Sequence, residues 1–356
     1  MNSLAAHTTF HLGGSARVFI EAKTETEVEE AIVRARELHL PLLVLGNGSN
    51  ILVPDAGVEG VVLKMLLAGI AFEKDSDDTL LIAGAGVPWD EVVDAATARE
   101  LFGIENLAGI PGTLGGAVVQ NIGAYGAELS DTFHYADVID ASTSEKKRVY
   151  KDEAGLAYRT SSFKTKRNLI ITHVALRLSK KTSSSLKYPD LTLLRPFSAQ
   201  SYGRAQQGYE GQPACITPAE IADAIRTIRA NKFPQKREEG TAGSFFKNPI
   251  VDEKTLARLS SQYPDLPVYP VSARGGSASG GKISLAWLLD HALGLKGYAQ
   301  GNVRLFEQQP LVVVARAGAT AAEVDAFADQ IAGRVFEATG IKIEREVETF
   351  GAQRES

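Results

Sequence analysis

The fold of this chain is decided by the segment Gly109-Ile-Pro-Gly-Thr-Leu-Gly-Gly-Ala-Val-Val-Gln-Asn-Ile-Gly-Ala-Tyr-Gly126. It holds six glycines in eighteen residues, and no charged residue occurs from Asn106 to Ala127. Glycine permits positive φ and close approach of a backbone to a ligand, while the aliphatic residues favour inward folding. A buried irregular backbone must still satisfy its N–H and C=O groups. The pattern predicts either a backbone surface for a diphosphate or flat polar ring, or a glycine-rich core turn without a ligand.

Length and composition limit the classes of protein to consider. The 356 residues suit about two or three domains, and a hydrophobic content of 44% suffices for buried cores. A formal charge of -5 and a pI near 5.8 argue against binding nucleic acid by bulk positive charge. No apolar run approaches the roughly 20 residues of a membrane span, and Met1–Phe10 lacks a signal-peptide pattern. We therefore expect a cytoplasmic protein.

Cysteine and histidine give no sign of a metal site. Cys215 is the single cysteine, which excludes intramolecular disulfides and a Cys-rich site. His7 and His11 have the i, i+4 spacing of a helical pair, but neighbouring threonines and glycines disfavour a helix there. We predict that the protein binds no metal.

Two further glycine pairs follow predicted strands. Gly46-Asn-Gly-Ser-Asn50 comes after the apolar run Leu42–Leu45, and its N–H groups can form either an anion nest or an ordinary turn. Gly84-Ala-Gly86 follows a second run. Neither pair is completed by the third glycine and the downstream acid of the dinucleotide fingerprint. A Rossmann fold is therefore disfavoured.

Capping boxes predict where several helices begin. Thr24, Thr217 and Thr320 each precede a glutamate by three residues and open a stretch of helical periodicity. Gly340 is the expected C-cap of the last helix. Alternation over residues 341–347 predicts a final strand.

Arg159, Ser244 and Glu346 are candidates for chemistry, each with an ordinary alternative. Arg159 can clamp a carboxylate through two hydrogen bonds or can be a surface arginine. Ser244, in a glycine-rich turn beside two phenylalanines, can donate a proton or bond the local backbone. It lacks a hydrolase elbow, because position 246 is Phe. Glu346 is either a site acid or a solvent-facing edge charge.

Arg229 and Lys232 lie at the end of the helix that Thr217 opens. Basic residues favour a helix C-terminus because they complement the macrodipole. This helix-end role is sufficient to explain both residues from the pattern alone.

Four segments together resemble one family. They are Leu45–Ile51, Gly109–Gly126, Tyr158-Arg159 with Phe163-Lys164, and Ala242–Pro249. They occur in this order in the UDP-N-acetylenolpyruvoylglucosamine reductases, the MurB family. The resemblance extends from about Thr9 to Gly351, and Lys187–Leu191 is similar to the tyrosine loop of the family's type I branch.

The resemblance implies an α+β protein. It implies an FAD-binding fold of the vanillyl-alcohol-oxidase/PCMH type, made of two α/β subdomains, plus a separate α+β substrate-binding domain. On this basis we predict FAD-binding subdomains at 1–65 and 66–195. A substrate-binding domain at 214–330 and a C-terminal segment at 331–356 that returns to the site complete the prediction.

The family's site residues carry over position by position. The implied catalytic residues are Arg159, which stabilises charge on the substrate carboxylate, Ser244, which donates a proton, and Glu346. The implied FAD-binding residues are Gly46, Asn47, Gly48, Ser49, Asn50, Ile51, Ile110, Pro111, Gly112, Gly115, Gly116, Gln120, Asn121, Gly123, Ala124 and Gly126. The implied substrate-binding residues are Tyr125, Tyr158, Tyr188, Lys232, Asn248 and Gln309.

The implied activity is NADPH-dependent, FAD-mediated reduction of UDP-N-acetylglucosamine enolpyruvate to UDP-N-acetylmuramate in peptidoglycan precursor synthesis. No side chain carries a hydride, so such a reduction requires a cofactor. The resemblance implies that non-covalent FAD takes the hydride from NADPH and passes it to C3 of the enolpyruvyl group. Glu346 would then orient Arg159 or act as a protonated acid, because an ionised carboxylate would repel that of the substrate. We further expect a monomer that binds neither nucleic acid nor membrane.

Three positions depart from the family pattern. Thr8 stands where Asn is usual, Phe306 lies near the place of a common histidine, and Arg345 stands where Pro is frequent. None of these departures removes an implied catalytic group.

Two other functions compete with the reductase: a small-alcohol oxidase of the same fold, and a non-catalytic nucleotide-binding protein. The oxidase would tether its flavin through His or Cys, and no histidine lies in 108–126.

Overall fold

The computed structural model of the chain describes residues 3–181, 216–234, 238–269 and 280–351. The strands of these ranges are β1 (Ala16–Ala22), β2 (Leu42–Leu45), β3 (Ile51–Leu52), β4 (Val58–Met65), β5 (Ile70–Asp75), β6 (Asp78–Gly84), β7 (Gly123–Ala124), β8 (Ala127–Glu128), β9 (Phe133–Asp140), β10 (Lys146–Tyr150), β11 (Leu169–Leu178), β12 (Ile250–Asp252), β13 (Val268–Tyr269), β14 (Gly280–Ile283), β15 (Ala299–Gln300), β16 (Val303–Phe306), β17 (Gln309–Ala315) and β18 (Glu348–Thr349).

The α-helices of these ranges are α1 (Glu25–Glu37), α2 (Trp89–Thr97), α3 (Leu114–Gln120), α4 (Leu129–Thr132), α5 (Ser162–Thr165), α6 (Pro218–Ala230), α7 (Glu253–Gln262), α8 (Leu285–Trp287) and α9 (Ala321–Thr339). Short 3₁₀ helices lie at Leu4–His7 and Glu105–Leu107, and α8 continues as a π-helical turn over Leu288–Ala292. Within the described ranges, no helix combines the length and apolar character required for a membrane crossing.

The chain divides into two compact units. Unit 1 comprises Met1–Ile20, Glu37–Val62 and Asn231–Ser356, and unit 2 comprises Glu21–Arg36 and Leu63–Ala230. Each unit is assembled from separate parts of the chain. The four-part domain division expected from the sequence stays a prediction.

Unit 1 contains the three-stranded sheets β12-β14-β13 and β15-β16-β17 and most of a third, β1-β4-β2, together with helix α9. Its main core includes Phe245 and Phe246, which are each 1% exposed and stack edge to face with centroids 5.2 Å apart. The apolar face of α9 joins the same core through Val324, Phe327 and Ile331. Burial of large aromatic side chains contributes strongly to stability. The two phenylalanines therefore anchor the segment that carries Ser244.

Unit 2 is built around an antiparallel sheet of order β10-β9-β11-β6-β5. In its central strand β11, Val174 pairs with Ala83 on one side and Ala136 on the other. Burial along β11 does not alternate with period 2. Besides the partly buried first residue, only His173 and Arg177 depart from full burial. A register shift between Ile171 and His173 also interrupts the period-2 pattern.

The three predicted capping boxes are confirmed. The glutamate carboxylate of each box accepts from the threonine N–H, and the threonine hydroxyl accepts from the glutamate N–H. The pairs are Thr24 with Glu27, Thr217 with Glu220, and Thr320 with Glu323. Gly340 has φ 71°, so the predicted left-handed C-cap is confirmed as well.

The predicted final strand over 341–347 is wrong. Arg345 forms only an isolated bridge to Phe246, and the strand β18 begins afterwards, at Glu348, pairing in parallel with β3. The guanidinium of Arg345 is instead bound by the Asp325 and Asp329 carboxylates of α9. The apolar residues of this segment alternate because they face the unit 1 core, not because they form a ladder.

Candidate active site

The glycine-rich segment is only partly irregular. Residues Leu114–Gln120 form helix α3, whose N-cap Thr113 accepts a hydrogen bond from the Gly116 N–H at 3.4 Å. A Cβ at Gly115 would lie 3.0 Å from the Ala85 Cβ and 3.1 Å from the Ala85 carbonyl oxygen. The expectation of continuous irregular backbone is wrong for α3, where glycine allows close packing against the strand end.

The remainder of the segment has the expected backbone geometry. Gly109, Gly112 and Gly126 have φ of 70°, 138° and 82°, and Tyr125, a non-glycine residue, has φ 49°. A Cβ added at Gly126 meets nothing within 4 Å, so space remains open beside it. Uncharged, partly exposed backbone of this kind suits a planar cofactor such as FAD, because glycine lets the backbone approach a flat ring closely.

Arg159 lies directly against this segment. Its Nη2 donates to the Gly123 carbonyl oxygen at 2.7 Å, and its guanidinium carbon lies 5.5 Å from the Tyr158 ring centroid. A Cβ at Gly123 would approach Arg159 Nη1 to 3.0 Å. Gly123 therefore leaves the space that the guanidinium occupies, and Arg159 is a partly buried arginine held against this segment.

Gln120 and Asn121 use their side-chain amides inside unit 2. The Lys164 ammonium donates to Gln120 Oε1 at 2.7 Å, and Asn121 Nδ2 donates to the Ala157 carbonyl oxygen at 2.8 Å. Asn121 Oδ1 also accepts from the Ser130 N–H at 3.0 Å, and Asn121 is 0% exposed. Asn121 thus fixes the end of α3, and its predicted contact with FAD stays a prediction.

Arg229 is a contributor to this region that the sequence pattern did not reveal. Its Nε donates to the Gly109 carbonyl oxygen at 3.0 Å, while the Gly109 N–H donates to Asp90 Oδ1 at 2.7 Å. Asp90 is held in turn by Arg226 of the same helix, α6. Burial lowers the pKa of the Arg229 guanidinium, and Tyr125 opposes that shift through charge and a side-chain hydrogen bond. The helix-end explanation for Arg229 is therefore incomplete, since its side chain also bonds the backbone at the start of the glycine-rich segment.

In unit 1, the turn Gly46–Asn50 packs closely against the N-terminal segment. Gly48 has φ 62°, and an added Cβ would lie 2.4 Å from the His7 carbonyl oxygen. The Gly48 carbonyl oxygen accepts from the Thr9 N–H at 3.3 Å. Glycine is required here by both conformation and crowding, and the anion nest expected at this turn stays a prediction.

Ser244, Glu346 and the Gly46–Asn50 turn are neighbours in unit 1. The Glu346 N–H donates to the Phe245 carbonyl oxygen at 2.8 Å, and Asn50 Nδ2 donates to the Glu346 carbonyl oxygen at 3.2 Å. Ser244 follows Gly243, which has φ 73°, and bridges to Val312 of β17. Two of the four segments that resemble the family are therefore joined through Glu346 by hydrogen bonds within one unit.

Two of the predicted substrate-binding residues, Asn248 and Gln309, use their side-chain amides within unit 1. Asn248 Oδ1 accepts from the Leu285 N–H at 3.0 Å, and Gln309 Oε1 accepts from the Leu311 N–H at 3.5 Å. Lys232 is partly buried and follows the end of α6. Tyr188 lies outside the described residues, as does the flanking loop.

Comparison with known proteins identifies the family. The family model for the FAD binding domain matches residues 16–146, and the model for the UDP-N-acetylenolpyruvoylglucosamine reductase C-terminal domain matches residues 235–350. The reductase of Pseudomonas aeruginosa is 38% identical, with 97% of this chain and 96% of that protein covered. The chain belongs to the UDP-N-acetylenolpyruvoylglucosamine reductase family. The reductase of Shewanella sp. strain MR-4 is 35% identical, with 99% of this chain and 97% of that protein covered.

A solved structure supports the fold. The UDP-N-acetylenolpyruvylglucosamine reductase of Thermus caldophilus superposes with a TM-score of 0.64 at 24% identity, covering 98% of this chain and 97% of that one. The α+β fold class with an FAD-binding domain is thus confirmed. Family membership also confirms an oxidoreductase that uses FAD, with NADPH as the family's reductant.

The departures from the reductase family pattern have structural explanations. The Thr8 hydroxyl donates to the Leu12 carbonyl oxygen at 3.2 Å, which stabilises the N-terminal turn. Phe306 packs with Val312 and Val314 in a small cluster of its own. Arg345 binds the two aspartates of α9. None of these side chains replaces Arg159, Ser244 or Glu346.

Proposed function

We propose that Arg159, Ser244 and Glu346 act on one substrate, the enolpyruvyl group of UDP-N-acetylglucosamine enolpyruvate, and that the product is UDP-N-acetylmuramate. The observation that carries the proposal is the 2.7 Å hydrogen bond from Arg159 Nη2 to the Gly123 carbonyl oxygen. It ties a guanidinium to the uncharged glycine-rich backbone, which the resemblance assigns to the flavin. Hydride addition to C3 of the enolpyruvyl double bond places negative charge on the adjacent carboxylate, and a fixed cation beside that carboxylate stabilises the charge.

FAD supplies a reversible hydride carrier when bound, with NADPH as the source of the hydride. The residues that would hold it are the partly exposed backbone of Gly109–Gly112 and Gly123–Gly126 and the turn Gly46–Ile51. Their fit is supported by the open space beside Gly126 and by the lack of charged residues from Asn106 to Ala127.

Arg159 stabilises the negative charge that develops on the substrate carboxylate. Its guanidinium is preorganised, because Gly123 and the Tyr158 ring constrain its position before any substrate arrives. Because the charged group is already in place, no free energy is needed to reorient it when the transition state forms. A planar fork of donors also suits a carboxylate better than an ammonium would.

Ser244 delivers the proton to C2 of the substrate, and Glu346 either orients Arg159 or binds as a protonated acid. The Ser244 hydroxyl is held on a turn anchored by Phe245 and Phe246, both 1% exposed. An anchored hydroxyl can donate along a fixed direction. A protonated Glu346 donates a hydrogen bond, whereas an ionised one would repel the substrate carboxylate.

Tyr188, Lys232 and Asn248 contact the UDP portion of the substrate, mainly its diphosphate, and Gln309, Tyr125 and Tyr158 make further substrate contacts. We also propose that the protein is a cytoplasmic monomer that binds no nucleic acid. Size-exclusion chromatography with light scattering tests the monomer, and a dimer mass would refute it.

The decisive experiment separates the two half-reactions in a Ser244→Ala variant. Flavin reduction by NADPH should stay within about threefold of wild type. Reoxidation of the reduced flavin by the enolpyruvyl substrate should fall by roughly 10²–10⁴. Ser260→Ala, an exposed serine of α7, serves as the control and should change neither step. A parallel loss of both half-reactions in Ser244→Ala would make Ser244 a structural residue and would refute its role as proton donor.

A further inference from the structure

We propose that Lys164 is a positioning residue whose buried ammonium holds the backbone turn of Arg159 against the end of α3. The inference rests on the proposed function, since it concerns how Arg159 is placed for its role. Lys164 lies in the short helix α5 and is 6% exposed.

The ammonium of Lys164 bridges two of the predicted site residues. It donates to Gln120 Oε1 at 2.7 Å and to the Arg159 carbonyl oxygen at 3.2 Å. Gln120 is itself 7% exposed. Hydrogen bonds from a charged donor are stronger than neutral ones, and their strength increases in the low dielectric of a buried site. The Lys164 side chain therefore connects Gln120, at the end of α3, to the backbone of the proposed catalytic arginine.

The turn that carries Arg159 has a backbone conformation that this hydrogen bond stabilises. Arg159 has φ 54°, which L residues with a Cβ rarely adopt. The turn is closed by two hydrogen bonds between Ala157 and Thr160, at 3.0 and 3.1 Å. A hydrogen bond to the Arg159 carbonyl oxygen fixes the peptide plane at the residue with the unfavourable conformation.

Arg159 is thus attached to the same short segment at both of its ends. Its carbonyl oxygen is linked through Lys164 to Gln120, and its guanidinium is bonded to the Gly123 carbonyl oxygen. A rotation of the Arg159 peptide plane would move the guanidinium away from Gly123. Since misplacement by about 1 Å can cost a factor of 10² in rate, the Lys164 contact should matter for catalysis.

Other hydrogen bonds should keep the turn folded when Lys164 is removed. Asn121 Nδ2 donates to the Ala157 carbonyl oxygen at 2.8 Å, and the Ser161 hydroxyl donates to the Val119 carbonyl oxygen at 2.7 Å. Neither bond fixes the Arg159 peptide plane. We therefore expect a Lys164 variant to fold, with Arg159 displaced.

The test uses Lys164→Met, which keeps the length of the side chain and removes its donors. Reoxidation of the reduced flavin by the enolpyruvyl substrate should fall by about 10–100-fold, while reduction by NADPH changes by less than about threefold. Lys164→Arg should restore much of the lost rate. The matched control is Lys64→Met, because Lys64 is also buried in unit 2, at 9% exposure, and should leave both half-reactions unchanged.

Hydrogen–deuterium exchange supplies a readout that does not depend on turnover. In Lys164→Met, exchange should rise in the peptide spanning 157–161 and stay at the wild-type level in β11. Lys64→Met should show no change at 157–161. Should Lys164→Met fail to fold, Lys164→Gln takes its place in the same comparisons.

Arg159→Met measured in parallel separates this inference from the proposed function. If Arg159→Met slows reoxidation and Lys164→Met does not, the positioning role of Lys164 is overturned. If Arg159→Met leaves reoxidation unchanged, the proposed function fails and the inference fails with it. An equal loss of both half-reactions in Lys164→Met, with no rescue by Lys164→Arg, would show Lys164 to be structural only.

Discussion

A methyl group added at Gly123 would lie 3.0 Å from Nη1 of Arg159. That approach is tighter than ordinary van der Waals contact, so the guanidinium or the glycine backbone would have to shift. The absence of a side chain at position 123 is therefore coupled to the position of the arginine 36 residues later, whose Nη2 bonds the Gly123 carbonyl oxygen at 2.7 Å.

Gly123→Ala should impair the step that depends on Arg159. We expect reoxidation by the enolpyruvyl substrate to fall by about 10–100-fold, because a displaced cation stabilises the transition state poorly. Stopped-flow measurement of the two half-reactions checks this. Gly333→Ala is the control: it lies within α9 with nothing near its Cβ position, and should stabilise the fold by about 0.5–1 kcal/mol. An unchanged reoxidation rate in Gly123→Ala would argue against the coupling.

Removal of the Arg229 guanidinium should weaken binding of FAD. In Arg229→Met the part-buried Gly109 carbonyl oxygen loses its 3.0 Å donor, and an acceptor left unsatisfied away from water costs about 1–3 kcal/mol. If that cost appears only in the cofactor-bound form, the dissociation constant for FAD should rise by roughly 5–150-fold. Titration of apoprotein with FAD measures it. Thr227→Ala, on the exposed side of the same helix, should bind FAD as wild type does.

Glu346→Gln should retain most of the reoxidation rate, whereas Glu346→Ala should lose about 10²-fold or more. A glutamine amide reproduces the hydrogen-bond donor of a protonated acid, so the comparison tests the protonated form directly. Glu344→Gln is the matched control, because Glu344 is 74% exposed and binds Lys247 at 2.8 Å. Equal losses in the Gln and Ala variants of Glu346 would instead indicate an ionised carboxylate.

Glu105 should make stability depend on pH. Burial raises the pKa of its carboxyl group, although the Gly103 N–H donates to it at 2.6 Å. A raised folded-state pKa means that the folded form binds the proton more tightly than the unfolded chain does. The contribution of Glu105 is therefore fully present below pH 4.5 and is lost as pH rises through the folded-state pKa.

Glu105→Gln removes that titration and should raise the melting temperature at pH 8 relative to wild type, with little difference near pH 4. Differential scanning calorimetry at several pH values makes the measurement. Glu100→Gln, five residues earlier and exposed, serves as the control. A Glu105→Gln variant that melts below wild type at pH 8 would contradict the predicted direction of the change.

Local signals in the sequence predicted the local structure. Thr320 and Gly340 mark the beginning and end of α9, because capping depends on residues within one turn. The alternation at 341–347 gave a wrong strand prediction, because an extended segment that runs across a core can bury alternate residues without pairing with another strand. Helix α3 was missed because its sequence, with two adjacent glycines, has low intrinsic helix propensity. Packing on Ala85 outweighs that propensity.

The site could be predicted only in part, and mainly through the resemblance. Arg229 bonds Gly109 across 120 positions of sequence, and Asn50 bonds Glu346 across 296. No periodicity or spacing rule connects residues so far apart. Lys164 belongs to a segment that resembles the family, but its contact could not be predicted, since its acceptor on Gln120 lies 44 positions away and only folding brings the two together.

The most direct test of the proposed function is an anaerobic reoxidation experiment on the wild-type protein. The purified protein should show flavin absorbance that bleaches on addition of NADPH. Addition of UDP-N-acetylglucosamine enolpyruvate, without oxygen, should then restore that absorbance, with one UDP-N-acetylmuramate formed per flavin reoxidised. A reduced flavin that stays bleached with this substrate, and recovers its colour only on admission of oxygen, would contradict the account and favour an oxidase.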